Sequence, residues 1–351
     1  MLDDLGPDAG RPGTGGASGS GGSGGPIDAS TDARCFGNQP QPIGAVADQP
    51  VVLVALDRSA EMTMMGTQFG SNSEFSEAVT DLSAQVGSYA PSGQHLNRRS
   101  LVFGYLEFPE GDDCGAAGCC ASDGRDTDSY QDFTNATMSC QSSANTCGPS
   151  TNHPVAAALS KAQAFFNFGS GAVQTTERYV LLVTDDLPSG GCSLQENDCQ
   201  LAEDQAYDLA MSNVTTVVVH VGASTNTGCL QNLADIQGAP PPYYGDSTLY
   251  YNAPMADDLQ TTIAKYVIPA MAQGACRFTL TNTPSDPSAL TVSQGMTTVP
   301  QDPKNGWTYV GDSGTARLIL HGTACNNFLG SQFGGLTVSG GCVPNHPGQT
   351  P

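Results

Sequence analysis

From Pro50 onward, short unbroken apolar runs alternate with longer stretches in which apolar positions recur every three or four residues. The run VVLVAL (51–56) is apolar at every position and rich in β-branched residues, the pattern of a strand buried on both faces. SEFSEAVTDLSAQVGSY (73–89) then places Phe75, Val79, Leu82 and Val86 on one helical face. The alternation continues with a strand in RRSLVFGYLEF (98–108) and a helix in PVAAALSKAQAFFNF (154–168), whose Pro154 suits a first helical turn. A strand in RYVLLVTDD (178–186), a helix in LAEDQAYDLAMS (201–212) and a strand in TTVVVHVG (215–222) follow. CLQNLADIQG (229–238) reads as a helix, TLYYN (248–252) as a short strand and MADDLQTTIAKYVIPAM (255–271) as a closing helix. This order predicts a doubly wound α/β fold with a mainly parallel sheet. Ligands on such sheets sit at the carboxyl ends of the strands. Asp57 and Asp185 each close an apolar run, so both are expected there.

The texture differs on either side. Residues 1–34 are dominated by Gly, Ser, Pro and Asp and hold almost nothing apolar, which predicts a disordered tether. Gly21–Gly25 satisfies the G-x-S-x-G pattern there, but the elbow it describes needs a strand before it and a helix after it. After Cys276, segments such as CRFTL, SALTVSQGMTTV, GWTYV, ARLILHG and GLTVSGGC alternate and are separated by Gly, Pro, Asn and Asp. They predict a small antiparallel β domain over 275–351, following an α/β domain over 35–274. Within the latter, 109–149 is a polar insertion with five cysteines. Its stretch DTDSYQD (126–132) has the acidic spacing of a calcium loop but lacks the central glycine and closing glutamate, so a solvated acidic loop is the simpler expectation.

Charge and cysteine content narrow the class. The chain has 351 residues, 34 of them acidic against 12 basic, for a net charge of −22. That excludes nucleic acid and anionic membrane surfaces as expected partners, because both need clustered Lys and Arg. Twelve cysteines without a C-x-x-C pair point to disulfides in an oxidising space rather than to a zinc ribbon. Extracytoplasmic localisation is therefore expected, with a signal missing from this start: MLDDLGPDAG has no basic region followed by an apolar core. No segment is long and apolar enough to span a bilayer, so a membrane tether is expected only through a missing lipoprotein signal. Spacing proposes Cys192–Cys199, Cys140–Cys147, a Cys35–Cys276 clasp around the α/β domain and Cys325–Cys342.

Asp57-Arg58-Ser59 after the first buried strand, and Thr184-Asp185 after a later one, resemble the corresponding loops of a von Willebrand factor A domain. The match covers about 50–271, and the whole chain resembles exported bacterial proteins of that family, often lipoproteins. The resemblance implies a metal-ion-dependent adhesion site for Mg²⁺ or Mn²⁺, with Ca²⁺ a lesser expectation, and a protein ligand whose acidic group completes the coordination. Carried over residue by residue, Asp57, Ser59 and Asp185 match, and Glu61 replaces a serine. The family's metal threonine falls on His153 or, with a two-residue slip, on Thr151. Glu61 adds negative charge that favours a cation and disfavours an acidic partner. His153 is a poor magnesium ligand and suits zinc, nickel or copper. No zinc-protease helix or phosphate loop is present, and His220 within its apolar run reads as a strand residue. A non-enzymatic protein-binding module is thus expected, with a metal-free interaction module and a metal-dependent hydrolase as alternatives.

Overall fold

The computed structural model describes residues 41–64, 67–69, 72–89, 101–109, 121, 125–127, 133–135, 151–168, 177–189, 198–223, 227–236, 248–284, 286–312, 315–330 and 335–340. The tether at 1–34, most of the insertion at 109–149 and the proposed Cys140–Cys147 pair lie outside the described residues.

Two short strands, β1 (Gln41–Ile43) and β2 (Ala45–Ala47), precede β3 (Val51–Asp57), in which all seven residues are buried. β3 is central because both of its edges are paired. β4 (Val102–Phe108) and β6 (Arg178–Thr184) run parallel to it, with Val54 opposite Tyr105 on one side and Leu181 on the other. β7 (Val214–Val221) and β8 (Tyr250–Ala253) extend the parallel run beyond β6. β5 (Arg125–Thr127) closes the other edge antiparallel to β4, giving the order β5-β4-β3-β6-β7-β8.

The helices α1 (Ala60–Thr63), α2 (Glu74–Tyr89), α3 (Val155–Phe168), α4 (Asp198–Met211), α5 (Gly228–Asp235) and α6 (Ala256–Thr261) connect these strands. α2 packs on α1 and α6, whereas α3 packs on α4, and α4 on α5. The apolar face read from the sequence is the one α2 buries, through Phe75, Val79, Leu82 and Val86. The closing helix widens into a π turn at Thr262–Val267 before α7 (Ile268–Ala272). That turn sits where Pro269 removes a backbone donor and would crowd the carbonyl a turn earlier. The result is the doubly wound α/β architecture.

The remaining strands are β9 (Arg277–Leu280), β10 (Leu290–Gln294), β11 (Thr297–Val299), β12 (Trp307–Asp312), β13 (Thr315–Leu320) and β14 (Leu336–Gly340). They form two antiparallel sheets, β1-β14-β10-β11 and β12-β13-β9-β2, so residues 41–47 supply one strand to each. A nine-residue helix, α8 (Gly322–Gly330), stands between β13 and β14. Buried apolar residues fall into two clusters, one ending at Ala272 and the other beginning at Cys276. Between them, buried Glu177 binds Arg277 at 2.8 Å. A side chain at Gly274 would collide with Glu177 and Pro50, so the close approach there requires glycine.

Three cysteine pairings are corrected. Cys199 bonds Cys229 rather than Cys192, because the first turns of the adjacent helices α4 and α5 bring their Cα atoms to 5.9 Å. Cys276 bonds Cys325 rather than Cys35, which also removes the Cys325–Cys342 pair. Helix α8 carries Cys325 into the second core beside Cys276, a position that the spacing of cysteines along the chain does not encode.

Candidate metal centre at the strand carboxyl ends

Asp57 ends β3 with no exposed surface, and its carboxylate organises the loops around it. Oδ1 accepts the Ser59 backbone N–H at 2.8 Å, so the chain turns back on the aspartate. Ser59 Oγ in turn accepts the Met62 N–H at 3.4 Å and caps α1. Arg58 points the other way and is pinned to the neighbouring strand. Its Nη1 donates to Glu107 at 2.9 Å and its Nε to the Pro109 carbonyl at 2.8 Å.

The other Asp57 oxygen, Oδ2, accepts the Thr184 hydroxyl at 2.6 Å and meets His153 Nδ1 at 2.7 Å. His153 is held from behind: its backbone N–H donates to Ser189 Oγ, and its carbonyl accepts the Ser189 N–H, both at 3.0 Å. Its Nδ1 also lies 3.5 Å from Asp185 Oδ1, and its Nε2 lies 4.0 Å from Glu61 Oε2. Neither of those two carboxylate oxygens has a hydrogen-bond donor, although both are buried. One atom from each of Asp57, His153 and Asp185 falls within 4.8 Å of the others, a set that could hold a metal ion.

Burial opposes a charge on His153, but the hydrogen bond and charge of Asp57, with the charges of Asp185 and Asp186, outweigh it and push the imidazole up to about 9. Burial, then the charge of Asp57, pushes the Asp185 carboxyl up, against the pull of His153. Glu74, in the first turn of α2, joins the same acidic field. Burial and then Asp57 push its carboxyl up to about 7.

Of the six residues singled out in the sequence, Asp57, Ser59, Glu61, His153 and Asp185 are brought together here. Thr151 is exposed, and the residue beside Asp57 is His153. Two participants were not named as site residues from the sequence. Thr184 reaches Asp57 only because β6 lies beside β3, and Glu74 approaches the close of β7 at Gly222, whose φ of +89° suits glycine. His220 is a buried strand residue whose ring nitrogens meet Asn252 Oδ1 at 2.9 Å and the Asp185 carbonyl at 3.1 Å, so it steadies the Asp185 turn.

Magnesium of the adhesion-site type asks for six oxygens in octahedral array. The Asp57 and Ser59 oxygens are already engaged here, and an imidazole stands among the acids. The all-oxygen arrangement therefore does not fit, whereas His153 with Asp57 and Asp185, whose ligand atoms lie within 4.8 Å of one another, offers a cation a mixed donor set.

No family model matches the chain, and no curated protein matches it in sequence. Among solved structures, the pilus adhesin SpaC from Lactobacillus rhamnosus GG is 11% identical, with 84% of this chain and 40% of that one covered and a TM-score of 0.48. The SpRpn10 VWA domain is 16% identical over 62% of this chain and 98% of that one, with a TM-score of 0.40. A manganese-loaded TRAP protein of Plasmodium vivax is 14% identical over 80% and 96%, with a TM-score of 0.41. The fold assignment rests on strand order and register. With Asp57-Arg58-Ser59 closing its central strand and Thr184-Asp185 closing the next, the chain has a doubly wound, von Willebrand factor A-like sheet and resembles the proteins that carry one.

Proposed function

We propose that this chain is an extracytoplasmic protein-binding module of the adhesion type, and that its working surface is the rim at the carboxyl ends of the parallel strands. A divalent cation held there by His153 and the surrounding acids assists recognition, and no catalytic step is assigned to the site. One observation carries this reading: two buried carboxylate oxygens, on Glu61 and Asp185, face one histidine without a hydrogen-bond donor between them. Buried acceptors are normally satisfied, and a cation held among these acids supplies a missing partner. The pilus adhesin likeness is compatible with this setting, although this chain spans 40% of that protein.

A metal-free rim is the second reading, favoured by the 2.7 Å contact of His153 with Asp57, which gives the acids a counter-charge from within the protein. A photo-reactive side chain at Met64, exposed just after α1, separates the readings in intact source cells. Cation-assisted binding predicts cross-links to a second protein that a chelator suppresses. Cross-links indifferent to the chelator support the metal-free rim. Cross-linking no greater from Met64 than from Val310, exposed on β12 of the antiparallel unit, counts against the rim as the working surface.

A further inference from the structure

Among the described residues, the two disulfides sit in opposite surroundings. Cys276 and Cys325 are 1% and 3% exposed and belong to the second core. Cys199 and Cys229 are only half-buried and lie nearer to solvent. Each is the second residue of its helix, Cys199 in α4 and Cys229 in α5. A first-turn position favours a negatively charged sulfur, because the unpaired N–H groups and the helix dipole both act there. Either sulfur is thus a competent leaving group when a thiolate attacks the other.

Two neighbours make the pair unequal. Glu203 Oε1 lies 3.4 Å from Cys199 Sγ and is fixed by the side-chain amide of Asn232, which donates to it at 3.0 Å. That carboxylate repels a thiolate approaching Cys199. Beside Cys229 stands the exposed Gly228, where an added Cβ would meet no atom within 4 Å, so this sulfur is flanked by open space.

We propose that Cys199–Cys229 is a thiol-exchange site that captures a small thiol on Cys229. The incoming thiolate attacks Cys229 Sγ and forms a new S–S bond to it. The Cys199–Cys229 bond breaks, and its electron pair stays on Cys199 Sγ. Cys199 then takes a proton from water, and its S–H donates to Glu203, which holds back the reverse attack. The chain ends with the small thiol bonded to Cys229 and a free thiol at Cys199, so no further oxidant or reductant is needed. This site involves neither the rim acids nor a cation, and it stands whichever reading of the rim holds.

The test exposes the folded full chain, disulfides intact, to increasing reduced glutathione, then alkylates free thiols and locates both modifications by peptide mass spectrometry. Glutathione on Cys229 and alkylated Cys199 are expected at thiol concentrations that leave Cys276–Cys325 bonded. Once excess glutathione is removed, Glu203→Gln should shorten the life of the adduct severalfold, because Cys199 then loses its proton more readily and attacks back. Opening of Cys276–Cys325 before Cys199–Cys229 overturns the proposal, and so does glutathione on Cys199 in place of Cys229. A Cys199–Cys229 bond that stays closed at every thiol concentration at which the chain remains folded overturns it as well. These outcomes are read on the unaltered chain and do not depend on the variant folding. An adduct equally long-lived in the Glu203→Gln chain overturns the part given to Glu203.

Discussion

Asp57 can remain buried only because three donors converge on it from different parts of the chain: Ser59, Thr184 and His153. Removing one leaves a buried carboxylate short of a partner, which costs more than the average hydrogen bond contributes. Thr184→Val keeps the side chain's shape and deletes only the hydroxyl, so a loss of about 1–3 kcal/mol is expected in urea unfolding. An unchanged midpoint would show that Thr184 contributes nothing to holding the acid. At this scale the sequence was partly legible. Asp57, Ser59 and Asp185 follow strands at recognisable spacing, and Glu61 lies within the same short stretch. The choice between Thr151 and His153 depends on how the chain enters α3, where His153 turns inward through its bonds to Ser189. Partnerships made across 127 residues, such as Thr184 with Asp57, have no local pattern at all.

Elements were more legible than contacts because burial imposes a period. β3 is buried along its whole length and reads as an unbroken apolar run, and α2 buries one face at helical spacing. Leu82 sits in that face with no exposed surface, so Leu82→Ala should cost about 2–5 kcal/mol, measured by denaturant unfolding with the slope checked for a two-state transition. A much smaller loss would mean that α2 settles into the space left behind. Several short elements escaped the pattern. GTACNNFLG forms α8 among strands, with Gly322 at a φ of +48° opening it and the Cys276–Cys325 bond anchoring it. β1 and β2 are three residues each, too short for alternation to register, and their partners lie far along the chain.

Across the whole molecule, several buried acids favour their neutral forms. Burial, then the charge of Asp57, pushes Glu74 from 4.5 up to about 7. Burial pushes Glu177 up to about 7 as well, even with Arg277 pulling it down. Asp81 rises from 3.8 to about 6 through burial and then the charge of Glu77. Each group holds its proton more tightly folded than unfolded. Its contribution is complete below the unfolded value and is lost as the pH climbs through 6 and 7. The melting temperature should therefore fall between pH 5 and pH 8, and Glu177→Gln should flatten part of that fall in scanning calorimetry. A net charge of −22 acts in the same direction through self-repulsion, but added salt screens that part and leaves the Glu177 part. A melting temperature that rises with pH would contradict this account. The placement of residues 41–47 also has a mechanical meaning. Gln41 lies opposite Gly340, so the first and the last of the described strands lie side by side. Tension drawn between those two points opens the β1–β14 pair one rung at a time, as a zip opens, and does not slide all its rungs together. The doubly wound sheet hangs from the antiparallel unit as a closed loop, outside the line of pull. A load applied at the rim instead would cross the junction between the two cores, where Glu177 meets Arg277.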